Sequence, residues 1–169
     1  MRKLNLNEPH GLTDVTREID INLSGPIRMI EQFLPHLKKQ KKAAIINVSS
    51  GLAFVPFPLS PVYSATKSGL HAFTECLRIQ LKNSSVEVIE LAPPGTETPL
   101  FRGGEFTDAD IGGTKGMEVS DLITHTIKGL QRGRTEIRPG LSNVLKIMSR
   151  VAPGFILSQL AKPVDKMLQ

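Results

Sequence analysis

The hydrophobic residues of this chain alternate between long helical stretches and short runs rich in β-branched residues. Helical spacing predicts three helices, over Thr13 to about Gln40, Ser60 to about Lys82 and Val119 to Leu130. Apolar runs predict three strands, over Ala43 to Val48, Ser85 to Leu91 and Thr135 to Arg138. Strands that alternate with helices are usually joined in parallel, so the pattern predicts an α/β fold with a parallel sheet.

The ends and faces of the first two helices can be predicted from particular residues. Thr13 can cap the first helix, and its apolar face comprises Ile19, Leu23, Ile27, Ile30, Leu34 and Leu37. Ser60 can cap the second helix, and Pro61 suits its first position because proline has no N–H to leave unpaired. Cys76, in the middle of the second helix beside Leu77, is predicted to be a small core residue.

The remaining segments are predicted from their glycines and prolines. The stretch from Pro93 to Lys115 contains five glycines and is predicted to be a long loop. The tail from Leu141 has helical spacing that is interrupted at Pro153-Gly154 and again at Pro163. Its mixture of apolar and basic residues suits packing on the body or on a second subunit, with a membrane surface as the alternative.

Length and composition limit the class of protein. The chain has 169 residues, 40% apolar and 22% charged, which fits a single domain and argues against a disordered tail. It has no apolar run of the roughly 18–20 residues that a membrane span needs. The first residues lack the apolar region of a secretory signal, and the single cysteine excludes an internal disulfide. We therefore expect a cytoplasmic protein.

The net charge of +5 raises the question of a nucleic-acid partner. The densest basic cluster, Lys38 to Lys42, ends the first helix, where cations are favoured by the helix dipole. No aromatic residue lies between these lysines to stack on bases. The four histidines are too scattered to indicate a metal site, and His71 has no evident acidic partner in the sequence. We expect neither nucleic acid nor a metal as partner, and a Ser50–His71 nucleophile pair is disfavoured.

Tyr63 and Lys67 form the pair that suggests chemistry. Their spacing of four residues on a helix places the phenol and the ammonium on one face, about 5–6 Å apart at Cβ. A nearby cation can lower the pKa of a phenol toward neutral pH, where it exchanges protons readily. Ser50 follows the first predicted strand, and the carboxyl end of a strand is where α/β sheets place ligands.

Asn22 is a further candidate because of its main chain. Pro26 lies four residues later and has no N–H, so it cannot donate to the carbonyl of Asn22 in an α-helix. That carbonyl could then bind a water molecule. The alternative is a simple proline kink in the helix.

In order and spacing these residues resemble the short-chain dehydrogenase/reductase family. Asn22, Ser50, the Tyr63-x-x-x-Lys67 pair and the segment Leu91-Ala-Pro-Pro-Gly-Thr-Glu-Thr-Pro-Leu100 carry the resemblance, which runs from about Asn5 to Leu100. It implies a Rossmann-like, doubly wound parallel sheet and an NAD(P)-dependent oxidoreductase acting on an alcohol or carbonyl. It also implies a homo-oligomer, a substrate loop over 95–118 with Phe101 and Phe106 as lid residues, and a helical tail over 141–169.

The resemblance also implies a role for each matched residue. Tyr63 is expected to be the acid/base, and Ser50 to hold the reacting oxygen. Lys67 is expected to lower the pKa of Tyr63 and to bind the nicotinamide ribose, with a water on the Asn22 carbonyl relaying protons. The remaining cofactor contacts, to the nicotinamide carboxamide or a neighbouring phosphate, are expected from Pro93, Thr96 and Thr98.

Departures from the family pattern lead to a second hypothesis. The family's T-G-x-x-x-G-x-G turn and its N-N-A-G segment are absent from this sequence, and Pro94 stands where glycine is usual. We therefore expect 1–169 to be a partial, truncated domain, the C-terminal half, and the residues that choose NAD or NADP are not among those matched. The alternative function is a non-catalytic remnant that acts as an interaction module, because a sheet interrupted at its middle would expose an edge.

Overall fold

The structure is a computed structural model that describes residues 1–102, 106–107, 110 and 115–167. The α-helices within these residues are α1 (Leu12–Ile19), α2 (Gly25–Leu37), α3 (Pro61–Gln80), α4 (Pro99–Arg102), α5 (Val119–Gln131), α6 (Leu141–Val151) and α7 (Pro153–Met167). The strands are β1 (Ala43–Val48), β2 (Val86–Leu91) and β3 (Glu136–Ile137). A π-helical turn (Asp20–Ser24) joins α1 to α2, and a 3-10 turn (Gly51–Ala53) follows β1.

The three strands form one parallel sheet in the order β1-β2-β3. β1 and β2 pair along their whole length, from Ala43 opposite Val86 to Val48 opposite Leu91. Their carboxyl ends therefore lie side by side, which is the edge where ligands bind in sheets of this kind. The predicted α/β class and parallel sheet are confirmed.

Helices cover the sheet on two faces. On one face, Ile45, Val86 and Val88 pack with residues of α2 and α3, among them Ile30, Leu77 and Leu81. On the other face, Ile89, Leu91 and Ile137 pack against Leu122 and Leu130 of α5. Burying a side chain of this size contributes about 1.5–3 kcal/mol, so these two clusters hold the carboxyl ends of the strands in place.

One face of β1 is uncovered among the described residues. Ile46 is 44% exposed and Val48 is 50% exposed, whereas the alternate residues Ile45 and Asn47 are buried. Alternate side chains of a strand point to opposite faces, so the exposed pair marks a single apolar surface. No described strand pairs with β1 on the side away from β2.

The prediction of one continuous helix from Thr13 to Gln40 is wrong, because a π-helical turn interrupts the α-helix at Asp20–Ser24. The N–H of Gly25 donates to the carbonyl of Asp20, five residues earlier, which makes the π-helical turn. A Cβ at position 25 would lie 2.9 Å from that carbonyl oxygen, so glycine suits the close approach. The extra residue in the turn rotates α1 relative to α2.

This rotation changes which residues of α1 are buried. Glu18 is buried, while Ile19, predicted on the apolar face, is 36% exposed. Ile30, Leu34 and Leu37 of α2 do pack into the core as predicted. The helix begins at Leu12 without a side-chain cap, so the predicted capping by Thr13 is wrong.

The second predicted helix, α3, begins at Pro61 with Ser60 in the N-cap position. The Ser60 hydroxyl donates to the carbonyl of Arg2 (2.6 Å) and makes no cap hydrogen bond. Cys76 is exposed on α3, so its assignment to the core is wrong.

The loop and tail contain more regular structure than their sequence predicts. The predicted loop includes the short helix α4, and Phe106 is buried against Phe57 and Leu59. Phe106 therefore has a packing role in this structure, and its role as a lid residue stays a prediction; the side chain of Phe101 lies outside the described part of the chain. The tail divides at Pro153 as predicted, but α7 continues through Pro163. No helix in the described ranges combines the length and hydropathy of a membrane span.

Candidate active site

The carboxyl ends of β1 and β2 open into a cavity of about 1050 Å3. Ligand pockets in proteins typically measure about 300–1,000 Å3, so this cavity is large enough for a small-molecule ligand. Its walls come from the 3-10 turn, the start of α3, the segment after β2, and helices α5, α6 and α7. The sequence-predicted residues on its surface are Ser50, Tyr63, Lys67, Pro93, Thr96 and Thr98.

Ser50 is held between two backbone hydrogen bonds that extend the β1–β2 pairing. The N–H of Ser49 donates to Leu91 O (2.8 Å), and the N–H of Gly51 donates to Pro93 O (2.8 Å). The backbone at Ser50 is extended, and its Oγ accepts from the N–H of Leu52 (3.1 Å). The serine that leaves the strand is therefore fixed in position before any ligand binds.

Tyr63 lies in the first turn of α3 and is buried at 8% exposure. Tyr63 and Ser50 both line the cavity, and the Ser50 hydroxyl lies close enough to the phenol to influence its pKa. Two residues that are distant in sequence and belong to different elements are thus brought together at the cavity wall.

Lys67 lies one turn further along α3, on the same face as Tyr63. Its Nζ is 5.7 Å from the centroid of the Tyr63 ring and donates to the carbonyl of Val48 (3.0 Å). The ammonium is therefore anchored to the end of β1, close to the phenol. Burial lowers the pKa of Lys67 from its usual value, because a charged amine is penalised when it leaves water.

The pKa of Tyr63 is raised from its usual value. Burial is the largest cause, the hydrogen bond from Ser50 opposes it, and the negative charge of Glu18 adds to it. The expected lowering by Lys67 is not met in this arrangement, because burial and Glu18 outweigh the favourable contacts. The phenol is therefore protonated at neutral pH.

Asn22 lies in the π-helical turn and is partly buried, outside the residues that line the cavity. The turn packs on α3 through Leu23, whose Cδ2 lies 3.2 Å from the position a Cβ would take at Gly69. Gly69 follows Lys67 by two residues, so the turn is adjacent to the Tyr63–Lys67 helix without being part of the cavity surface.

The segment after β2 presents Pro93, Thr96 and Thr98 to the cavity. Thr96 Oγ1 donates to Pro94 O (3.0 Å), and Thr98 Oγ1 donates to Thr96 O (3.1 Å). Their hydroxyl hydrogens are thus already committed to backbone carbonyls, while their oxygens can still accept. An amide N–H donor, such as that of a nicotinamide carboxamide, fits these hydroxyls better than a phosphate, which needs donors.

Two acidic residues of this region were missed from the sequence. Glu18 is buried on α1 and its negative charge acts on Tyr63, which no pattern in α1 indicates. Glu90 is fully buried on β2 and lies 2.7 Å from His71 Nδ1, so the expectation that His71 has no acidic partner is wrong. The available signal was a glutamate between the apolar residues Ile89 and Leu91 of β2.

His71 also belongs to the one cluster of described residues that could hold a metal ion. The ligand atoms of His71, Glu90 and Glu136 lie within 4.8 Å of one another. However, Lys146 Nζ is 3.1 Å from His71 Nε2 and 3.4 Å from Glu136 Oε1. The ammonium supplies the positive charge that these groups require.

Solved structures of similar fold are dehydrogenases. A short chain dehydrogenase from Burkholderia cenocepacia in complex with NADP superposes with a TM-score of 0.76 at 24% identity, covering 94% of this chain and 65% of that one. A short-chain dehydrogenase from Sphingobium yanoikuyae in complex with NADPH also gives 0.76, at 20% identity, covering 92% and 60%. These likenesses confirm the Rossmann-like fold.

Sequence relatives are oxidoreductases of greater length. The uncharacterized oxidoreductase DltE of Bacillus subtilis is 42% identical over 120 residues, which is 71% of this chain and 47% of DltE. The NADPH-dependent 1-acyldihydroxyacetone phosphate reductase of Schizosaccharomyces pombe is 35% identical over 102 residues, or 59% and 34% of the two chains. This chain spans about half or less of the length of the curated relatives it matches.

The family model described as short chain dehydrogenase matches residues 5–105. This range contains β1, β2, α3 and the segment after β2, and so every residue of the Ser50–Tyr63–Lys67 arrangement. The chain belongs to the short chain dehydrogenase family of oxidoreductases.

Proposed function

We propose that this chain carries the acid/base chemistry of an NAD(P)-dependent oxidoreductase that interconverts an alcohol and a carbonyl. The observation that supports this best is that the Ser50 hydroxyl and the Tyr63 phenol, from different elements, lie beside each other on the cavity wall. The Lys67 ammonium beside the same ring completes the arrangement. The cofactors named for the similar structures and for the yeast reductase support a nicotinamide dinucleotide, either NAD or NADP.

In this proposal Tyr63 is the proton donor and acceptor. Because its pKa is raised, it holds its proton at neutral pH and is ready to donate it to a carbonyl oxygen. Ser50, already anchored by Leu52, orients that oxygen toward the phenol. When bound, the nicotinamide supplies the hydride or accepts it.

Lys67, Pro93, Thr96 and Thr98 would hold the nicotinamide end of the cofactor. The Lys67 ammonium can donate to ribose hydroxyls, and the threonine oxygens can accept from the carboxamide. Asn22 would bind, through its main-chain carbonyl, a water that returns protons to Lys67. Its position on a turn that packs against α3 near Lys67 supports this role.

The surrounding segments would complete the whole protein. We propose that 95–118 is the substrate loop and 141–169 a helical tail that closes the cavity, since Leu100, Met117, Leu141 and Leu160 reach its surface. We propose a homo-oligomer formed through exposed apolar residues of α2, such as Met29 and Phe33, in the cytoplasm.

A second candidate function is an interaction module without catalysis. The exposed face of β1, with Ile46 and Val48, favours this alternative, as does the β1 edge that no described strand pairs, because such surfaces usually bind another protein segment. Calorimetric titration of the chain with NADH and NADPH separates the two. Micromolar affinity contradicts the interaction module.

The acid/base role predicts the effect of Tyr63→Phe, which removes only the phenol oxygen. We expect kcat for NAD(P)H-dependent carbonyl reduction to fall by about 10²–10⁴-fold, because this is the usual contribution of a positioned proton donor. Turnover is followed by the loss of nicotinamide absorbance with a panel of ketones. Cys76→Ala, an exposed change on the same helix, is the matched control. Unchanged turnover in Tyr63→Phe contradicts the proposed function.

A further inference from the structure

A buried ionic cluster lies behind the candidate active site. Glu90 is 0% exposed in the middle strand of the sheet. Its Oε2 lies 2.7 Å from His71 Nδ1, and its Oε1 accepts from the hydroxyl of Ser49 (2.5 Å). Lys146 of α6 bonds to the other nitrogen of His71 (3.1 Å) and lies over the ring of Phe54.

The pKa of the Glu90 carboxyl is lowered in spite of its burial. Burial alone would raise the pKa of Glu90, but the hydrogen bonds from His71 and Ser49 and the positive charge of nearby Lys146 lower it overall. Well-packed apolar residues could often replace such a buried ionic group without loss of stability. Stability is therefore a poor reason for placing a carboxylate here.

The cluster is attached directly to the catalytic serine. Ser49, whose hydroxyl is bound by Glu90, is the residue before Ser50. The backbone hydrogen bonds of Ser49 to Leu91 and of Gly51 to Pro93 fix the same segment to β2. With its side chain and its N–H both held, Ser49 leaves the following residue little freedom to turn.

We infer that Glu90 is a positioning residue: by holding the Ser49 hydroxyl it fixes the Ser49–Ser50 peptide so that the Ser50 hydroxyl stays beside the Tyr63 phenol at the cavity wall. The inference rests on the proposed function, in which Ser50 and Tyr63 act together on one oxygen. His71 and Lys146 keep Glu90 in place and do not themselves reach the cavity surface.

The sole tyrosine of the chain provides a direct readout. Tyr63 is the one tyrosine and there is no tryptophan, so tyrosinate absorbance on alkaline titration reports this phenol alone. Among the described residues, the charged groups that bear on the phenol are Glu18 of α1 and Lys67 of α3. Because the neighbouring Ser50 hydroxyl lowers the pKa of Tyr63, displacing that hydroxyl should move the titration midpoint upward.

The experiment compares Glu90→Gln with Ser50→Ala and Ser49→Ala in the 169-residue chain. We expect all three to move the titration midpoint of Tyr63 upward. Ser49→Thr keeps the hydroxyl that Glu90 binds and should leave the midpoint at its wild-type value. Removing the negative charge of Glu90 would by itself favour the tyrosinate and move the midpoint downward. An upward shift in Glu90→Gln therefore indicates that the Ser50 hydroxyl has been displaced from the phenol. Glu75→Gln is the control, since Glu75 also approaches His71 (3.6 Å) but is exposed.

Several outcomes overturn the inference. If Ser50→Ala shifts the midpoint while Glu90→Gln and Ser49→Ala do not, Glu90 has only a structural role. If Ser50→Ala causes no shift, the Ser50–Tyr63 bond is absent and the inference fails with it. Should Glu90→Gln not fold, as judged by circular dichroism, Ser49→Ala decides the question because it leaves Glu90 and His71 intact.

Turnover separates this inference from the proposed function. With a reducible ketone, Glu90→Gln should lower kcat by about 10²-fold with KM unchanged, the cost expected for a misplacement of about 1 Å. If Tyr63→Phe abolishes turnover but Glu90→Gln does not reduce it, the positioning role is wrong and the proposed function stands. If Tyr63→Phe retains turnover, the proposed function itself is wrong.

Discussion

Gly51 offers a sharp test of how the cavity wall is built. A Cβ at this position would lie 2.7 Å from Ser142 Oγ and 3.2 Å from Leu145 Cδ1, both on α6. Real Cβ atoms essentially never approach a neighbour closer than 3.0 Å. Ser142 is fully buried, so its hydroxyl cannot move aside into solvent. Overpacking of this kind typically costs about 1–3 kcal/mol, and we expect Gly51→Ala to destabilise the chain by that amount.

Ser142→Ala should rescue most of this loss. It removes the atom at 2.7 Å and leaves contacts of 3.2 Å to Leu145 Cδ1 and 3.4 Å to the Cα of residue 142. By itself, Ser142→Ala should be neutral or stabilising by about 1 kcal/mol, because the buried Oγ has no hydrogen-bond partner to lose. The double variant should therefore lie close to wild type.

Urea unfolding followed by circular dichroism gives the four free energies of this double-mutant cycle. Gly154→Ala is the control, since a Cβ there meets nothing within 4 Å and should be neutral or stabilising by up to about 1 kcal/mol. The reasoning is refuted if Gly51→Ala stays within about 0.5 kcal/mol of wild type. It is equally refuted if Gly51→Ala lowers the free energy of unfolding as much in the Ser142→Ala background as in the wild-type background.

Three further predictions concern charge and exposure. Lys67→Met should weaken NADPH binding at least tenfold in calorimetry, yet leave the free energy of unfolding within about 1 kcal/mol of wild type or above it, because burial penalises the charged amine. Glu90 and Asp110 have lowered pKa values in the folded chain. Their contribution to the free energy of unfolding should therefore be present above the ordinary carboxyl pKa and be lost as pH falls through the folded-state values. In urea unfolding, the free energy of unfolding should fall less between neutral and acid pH for Asp110→Asn than for wild type. Exposed Cys76 should react with a maleimide in the folded chain at nearly the rate of the unfolded one, and strong protection would contradict its placement.

Local patterns in the sequence predict the elements whose burial follows a simple period. The bounds of β1 are as predicted, and β2 and α5 differ by one residue at one end. Ser50, Tyr63 and Lys67 lie on one cavity wall as predicted, because β1 ends and α3 begins at the same edge of the sheet.

Features that depend on a single inserted residue or on contacts between distant segments escaped this reasoning. Pro26 is the sequence feature that could have indicated the π-helical turn. Glu18 is buried beside this turn, where Ile19 was predicted to be buried. The Glu90–His71 contact depends on how α3 crosses β2, which no local period encodes. For the same reason the direction of the Tyr63 pKa shift could not be predicted, since it depends on burial and on Glu18.

Because the π-helical turn contains one inserted residue, deleting that residue could change the pKa of Tyr63. Removing one residue between 20 and 24 would restore continuous α-helical pairing and turn α1 by about 100° about its axis. Ile19 would then face inward in place of Glu18, and the phenol would lose a neighbouring negative charge. A deletion of a single codon, outside the cavity, could thus retune the proton affinity of Tyr63 and leave Ser50, Tyr63 and Lys67 themselves untouched.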